Sequence, residues 1–108
     1  SRVRAWRVSG GGWFFLDQVF GRDDRITYAI GIDASGAVRG VEILVCESGY
    51  EGVRSPRWLG QFDGATQSSA AGLEERIANI SGTTLSVNHI TEGVRRVLAT
   101  HALYLARP

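Results

Sequence analysis

The residues best suited to chemistry lie in one short stretch, Ser81-Gly82-Thr83-Thr84, with Leu85 and Ser86 directly after it. Three hydroxyls crowd around a glycine, which lacks a side chain and lets another group approach the backbone closely. An amphipathic helix pattern begins at this turn. The first N–H groups of a helix have no partner within it, and its dipole adds partial positive charge at that end. Together these features make a phosphate-binding turn. The plainer reading of the same residues is an N-cap, with serine and threonine oxygens accepting from the first turn.

A second cluster is Glu47-Ser48-Gly49-Tyr50-Glu51. The two carboxylates suit acid–base work, but no histidine or nucleophile accompanies them in sequence, so a solvated loop is the simpler reading. Tyr50 offers an apolar face and a polar tip, suited to stacking on a ring. Arg54 and Arg57 can pair with a phosphate or a carboxylate, or stay solvated. Trp13 and Trp58 read as core residues. His89 falls in the first turn of the long helix, where a cation opposes the dipole, so it is expected to be neutral and to face solvent. His101 lies on the apolar stripe and is expected to pack. Twelve residues, roughly 18 Å of helix, separate the two, so they cannot share a metal ion. Cys46, the only cysteine, sits in an apolar run and reads as a buried strand residue.

These residues need elements to position them. Trp13 to Phe20 is a short apolar and aromatic run bounded by glycines, with Asp17 and Gln18 inside it, and predicts a strand. Ile26, Tyr28, Ile30 and Ile32 alternate with smaller residues, which predicts a strand from Arg25 to Asp33 with one large-residue face. Asp33-Ala34-Ser35-Gly36 is a turn by residue type, and Val38 to Cys46 continues as the second arm of an antiparallel hairpin. The first twelve residues, ending in Ser9-Gly10-Gly11-Gly12, read as a loose leading segment. Ser55-Pro56 predicts an N-cap and a short helix through Trp58 to Phe62. Asp63 to Gly72 has no pattern, and Leu73 to Ile80 is expected to be a short strand. Val87, Ile90, Val94, Val97, Leu98, His101 and Leu105 repeat at three and four, predicting an amphipathic helix from about Ser86 to Leu105. Glu92, Arg95 and Arg96 fall on its other faces. The expected fold is α+β: an antiparallel sheet with a short internal helix and one long C-terminal amphipathic helix, residues 1–108 forming a single domain.

Composition narrows the function. With 44% hydrophobic and 21% charged residues the chain is globular, and a net charge of +1 gives no field to draw in nucleic acid. All twelve basic residues are arginine, which excludes a Schiff-base lysine and a phosphate-loop lysine. There is no signal-peptide pattern and no apolar stretch long enough to span a bilayer.

The stretch Ile80-Ser81-Gly82-Thr83-Thr84-Leu85-Ser86 resembles the S-G-A-T-x-S/T motif of FMN-binding domains, a family that includes the covalent-FMN subunits of Rnf-type and sodium-pumping quinone reductase complexes. The resemblance extends along the chain. Gly12 to Val19 is similar to the family's first strand, and Ile26 to Asp33 with Gly36 and Val38 to Val45 to its hairpin. Glu47 and the glycines after it resemble the E-T/S-x-G loop that lies against the flavin ring. Trp58, Gln61, Phe62 and Gly64 resemble the W/F-x-x-Q-F-x-G element. The family pattern has alanine where this chain has Thr83, and often an acidic residue where it has Ala78.

This resemblance implies an electron carrier rather than an enzyme with its own substrate. FMN would be esterified through its phosphate to Thr84 by a flavin transferase, with non-covalent FMN as the other form. It implies Ser81, Gly82, Thr83, Leu85 and Ser86 around the phosphate, and Glu47, Ser48, Gly49 and Tyr50 near the ring. The implied setting is periplasmic or extracytoplasmic, with redox partner proteins. Asp63-Gly64-Ala65-Thr66 holds a second G-A-T, which makes Thr66 a rival attachment residue. Two further readings stand beside the carrier: a flavin-free binding or sensory module of the same fold, and a small flavin reductase.

Overall fold

The computed structural model describes residues 3–20, 25–46, 51–80 and 84–105. Four strands, β1 (Arg4–Arg7), β2 (Trp13–Phe20), β3 (Arg25–Ile32) and β4 (Val38–Cys46), form one antiparallel sheet in the order β1-β2-β3-β4. The alternation of large residues along β3 sends Ile26, Tyr28, Ile30 and Ile32 to one face, where all four are buried. Phe15 and Val19 of β2 and Val38, Ile43 and Cys46 of β4 join them.

The hairpin between β3 and β4 closes as expected. Asp33 Oδ1 accepts from the N–H groups of Ser35 (2.9 Å) and Ala37 (3.1 Å). Gly36 takes φ of 89°, which costs a glycine little.

Buried residues of the helical segments, among them Trp58, Leu59, Phe62, Leu73 and Val94, join the same core. The long helix α3 (Thr84–Thr100) continues as a wider π-helical turn over His101–Leu105. Its stripe of Val87, Ile90, Val94, Val97 and Leu98 is buried to 4% exposure or less. Each such side chain contributes about 1.5–3 kcal/mol, so the stripe fixes the helix on the sheet. Thr91 is also buried, its hydroxyl donating to the Val87 carbonyl at 2.8 Å.

A short helix, α1 (Pro56–Leu59), runs on as a 3-10 turn over Gly60–Phe62. Ser55 caps it as predicted, its hydroxyl accepting from Trp58 N–H at 3.4 Å. The fold class is α+β, with an antiparallel sheet and one long terminal helix.

Three local expectations are corrected. The leading segment is not loose: Arg4–Arg7 pairs with Trp13–Leu16 as an edge strand. All four of its residues are exposed, so it buries no face that hydropathy could reveal. Leu73 to Ile80 is not a strand. Leu73–Arg76 forms a single helical turn, α2, and residues 77–80 run on outside any helix or strand. Glu74, Glu75 and Arg76 favour helix over strand, and only Leu73 of that turn is buried. Asp63 to Gly72 is not patternless, since Gln67–Gly72 is a 3-10 turn. It is capped reciprocally by Thr66 and Ser69, whose hydroxyl accepts from Thr66 N–H at 2.9 Å.

Candidate functional site

The two sequence segments expected to hold a ligand are described only in part. Of the turn residues, Thr84 opens α3 and Leu85 follows it in the first helical turn. Ser86 is buried there, at 5% exposure. Ser81, Gly82 and Thr83 lie outside the described residues, as do Glu47, Ser48, Gly49 and Tyr50.

Their described neighbours meet. Gly52, which follows the glycine-rich loop, packs on Ile80, which precedes the turn. A Cβ at Gly52 would stand 3.0 Å from Ile80 Cγ2. A glycine is therefore what allows this approach.

Beside that contact lies an open cleft of about 470 Å³, lined by Gly52, Ser55, Arg57, Trp58, Gln61, Ala78 and Ile80. Its volume falls within the roughly 300–1,000 Å³ of small-molecule sites. Among the described residues of this lining Arg57 is the one that is charged, and the rest are neutral or apolar.

The wall of the cleft is a hydrogen-bonded clamp. Trp58 Nε1–H donates to the Ala78 carbonyl at 2.7 Å. Ala78 N–H donates to Gln61 Oε1 at 3.0 Å, and Gln61 Nε2 donates back to the Trp58 carbonyl at 3.0 Å. Trp58 is itself held edge-on to Phe62, with ring centroids 5.5 Å apart at 82°. Trp58 is therefore a core residue, as expected, and also a wall of the cleft. The sequence reading did not foresee the clamp. The W-x-x-Q spacing was visible, but nothing local shows that its partner stands 17 residues from Gln61.

The remaining candidates are dispersed. Thr66 serves the 3-10 cap, with its Oγ1 3.0 Å from Ser68 Oγ. It lines a smaller pocket beside His101 and is not in the lining of the main cleft. His101 is buried, and burial holds its imidazole below the usual range, with Asp33 opposing. His89 is half-buried rather than open to solvent. Trp13 is half-buried too, with the Arg7 guanidinium 5.4 Å over its ring. Arg54 and Arg57 are exposed, and only Arg57 reaches the cleft. Cys46 is buried in β4. Among the described residues no group of three or more histidine, cysteine, aspartate or glutamate side chains can hold a metal ion. No described helix is long and apolar enough to cross a membrane.

Sequence reasoning also missed a buried polar group under α3. Tyr28 donates its hydroxyl to Asp17 Oδ2 at 2.6 Å, and Arg96 pairs with the same carboxylate oxygen. Burial first, then the Asp17 hydrogen bond, hold the Tyr28 phenol far above its ordinary range, against the opposing pull of Arg96. Arg96 therefore does not merely face solvent.

Residues 21–99, well over half of the chain, match the sequence model of the FMN-binding domain family. The chain belongs to that family. The match takes in both candidate segments, the clamp and most of α3. No curated protein and no solved structure matches the chain.

Membership supports FMN as the cofactor, and the cleft fits it. Trp58, Ile80 and the side-chain-free Gly52 give apolar wall for a planar ring, and Arg57 is the cation for an anionic group. In sequence, Ser81 follows directly on Ile80 of that wall.

Proposed function

We propose that this domain is an electron carrier whose FMN is attached through a phosphoester to Thr84. The observation that supports this most is the packing of Gly52 on Ile80. It brings Gly52, which follows the loop, and Ile80, which precedes the hydroxyl-rich turn, to one cleft of ligand size. Gly52, Trp58, Gln61 and Ile80 hold the ring, and the turn at the N-terminus of α3 holds the phosphate. When bound, the flavin supplies the redox chemistry, accepting and releasing electrons; the protein supplies position and electrostatics.

Attachment uses FAD as the donor and a flavin transferase as the catalyst. A bond forms between the Thr84 hydroxyl oxygen and the phosphorus on the riboflavin side. The diphosphate P–O bond of FAD breaks, AMP leaves, and the threonine proton passes to solvent. The setting is extracytoplasmic, with separate redox proteins as donor and acceptor. The cleft's openness to solvent at Arg57 suits exchange with such partners.

The test is intact mass after coexpression with a flavin transferase. Wild type and Thr66→Ala gain one FMN-sized increment with flavin absorbance that survives acid precipitation, and Thr84→Ala gains none. A gain that survives Thr84→Ala and disappears in Thr66→Ala moves the attachment to the rival threonine. Colourless wild-type protein rejects the reading.

A further inference from the structure

We infer that Gln61 is a positioning residue for flavin attachment: its carboxamide fixes Ala78, on the stretch of chain that leads into Thr84 at the start of α3. The inference rests on the proposed attachment at Thr84 and adds to it the residue that holds the chain ahead of Thr84.

Residues 77–83 connect α2 to α3, and 77–80 are the described part of that connection. Ala78 and Asn79 are exposed, and no strand pairs with it. An exposed connecting stretch ordinarily has its backbone groups open to water and many conformations available. This one is gripped instead. Ile77 N–H closes α2 on the Leu73 carbonyl at 2.9 Å. Both backbone polar groups of Ala78 are taken by side chains of the α1 region, N–H by Gln61 and C=O by Trp58. Ile80 is braced by Gly52. Ala78 is thus bonded as a strand residue would be, with an indole and a carboxamide in place of a neighbouring strand.

The chemistry of the grip points to Gln61 specifically. Its Nε2 donates to the Trp58 carbonyl, which leaves Oε1 facing Ala78. The site therefore needs a donor and an acceptor on one planar group of this length. Glutamate keeps the acceptor but brings a carboxylate oxygen against the Trp58 carbonyl. Asparagine is one methylene shorter. The backbone N–H of Ala78 is bonded whatever its side chain is, so the grip does not depend on the residue type at 78.

The experiment is flavin transfer to the purified, flavin-free domain, with transferase and FAD, followed by intact mass as a time course. Gln61→Ala and Trp58→Phe are compared with wild type. Trp58→Phe keeps an aromatic edge against Phe62 and removes only the Nε1–H donor. Leu98→Ala, a buried residue of α3, serves as the control for lost stability without a lost grip. The expected result is that kcat for transfer falls about tenfold in Gln61→Ala, within the hundredfold that a displacement of about 1 Å can cost a reaction. Trp58→Phe falls in the same direction. Leu98→Ala, although it melts at least as low, transfers at the wild-type rate, and Gln61→Glu does not rescue.

Equal rates for Gln61→Ala and wild type overturn the positioning role while leaving attachment at Thr84 intact. Equal slowing of Gln61→Ala and Leu98→Ala overturns it too, since stability alone then accounts for the loss. Should Gln61→Ala not fold, Trp58→Phe against Leu98→Ala decides by the same comparison. If wild type takes up no flavin, or Thr84→Ala takes up as much, the attachment reading fails first and the inference falls with it.

Discussion

Gly93 of α3 rests directly on the phenol of Tyr28. A Cβ at position 93 would lie 3.0 Å from Tyr28 Cζ and 2.9 Å from Val19 Cγ1, closer still to the phenol oxygen. The helix can come this near the sheet only because residue 93 has no side chain. The phenol cannot swing away, because it is bonded to Asp17 at 2.6 Å.

Gly93→Ala therefore sets two effects against each other. Alanine gains about 1 kcal/mol of helix propensity over glycine. Overpacking a tight core costs about 1–3 kcal/mol. With backbone, strand and hydrogen bond all resisting relaxation, overpacking wins. The expected outcome is a net loss of about 1–2 kcal/mol, seen as a lower midpoint in urea at unchanged slope. In a Tyr28→Phe background, which removes the crowded oxygen but leaves Val19 Cγ1 and the ring edge, the same substitution costs less. A Gly93→Ala protein more stable than wild type would contradict the packing.

Arg95 and Arg96 are neighbours with different roles. Arg96 pairs with Asp17, whose side chain is fully shielded, whereas Arg95 pairs with an exposed Glu74. Removing one member of a buried pair costs about 3–5 kcal/mol. Arg96 is itself part-exposed and Tyr28 still serves Asp17, so Arg96→Ala is expected to cost about 2–3 kcal/mol, below that range. Arg95→Ala leaves stability nearly unchanged. Chemical denaturation of both variants checks this, and equal losses would contradict it.

The parts of the fold that the sequence revealed are those whose signal is local and repeated. Ile26, Tyr28, Ile30 and Ile32 alternate, and Val87 through Leu98 repeat at three and four, so β3 and α3 were legible. β1 was not, because Arg4, Ala5, Trp6 and Arg7 are an edge strand with no buried face. The partner of Asp17 was not either, since Arg96 stands 79 residues away. The cleft was half legible. The spacing of Trp58 and Gln61 was visible in sequence, but the contact of Gly52 with Ile80 and the grip on Ala78 are made only by folding.

His101 gives the domain a predictable response to acid. Burial depresses its folded-state pKa below the ordinary value of 6.5. The unfolded chain then binds more protons than the folded one as pH falls, so stability drops with it. The contribution is fully present above about pH 7 and is lost progressively below 6.5 as pH falls toward the folded value. Melting temperature should fall from pH 7.5 to 5.5 in wild type. The fall should be smaller in His101→Gln, which keeps a polar side chain but does not titrate. Identical pH dependence in the two proteins would rule out His101 as the source.

Arg57 tests which part of the ligand enters the cleft. It is the one charged side chain among the described lining residues, so it complements an anionic ligand. Protein made without a transferase should bind FMN more tightly than riboflavin, because only FMN carries the phosphate. Arg57→Gln should lower FMN affinity about tenfold, or about 1.4 kcal/mol, with little change for riboflavin. Raising salt should narrow the gap between wild type and variant, since Arg57 is exposed and the ions of the solvent reach it. Calorimetric titration of the two ligands against the two proteins reads all three effects. If Arg57→Gln weakens FMN and riboflavin alike, the arginine packs against the ring and not the phosphate, and the phosphate is held by the turn at α3 alone.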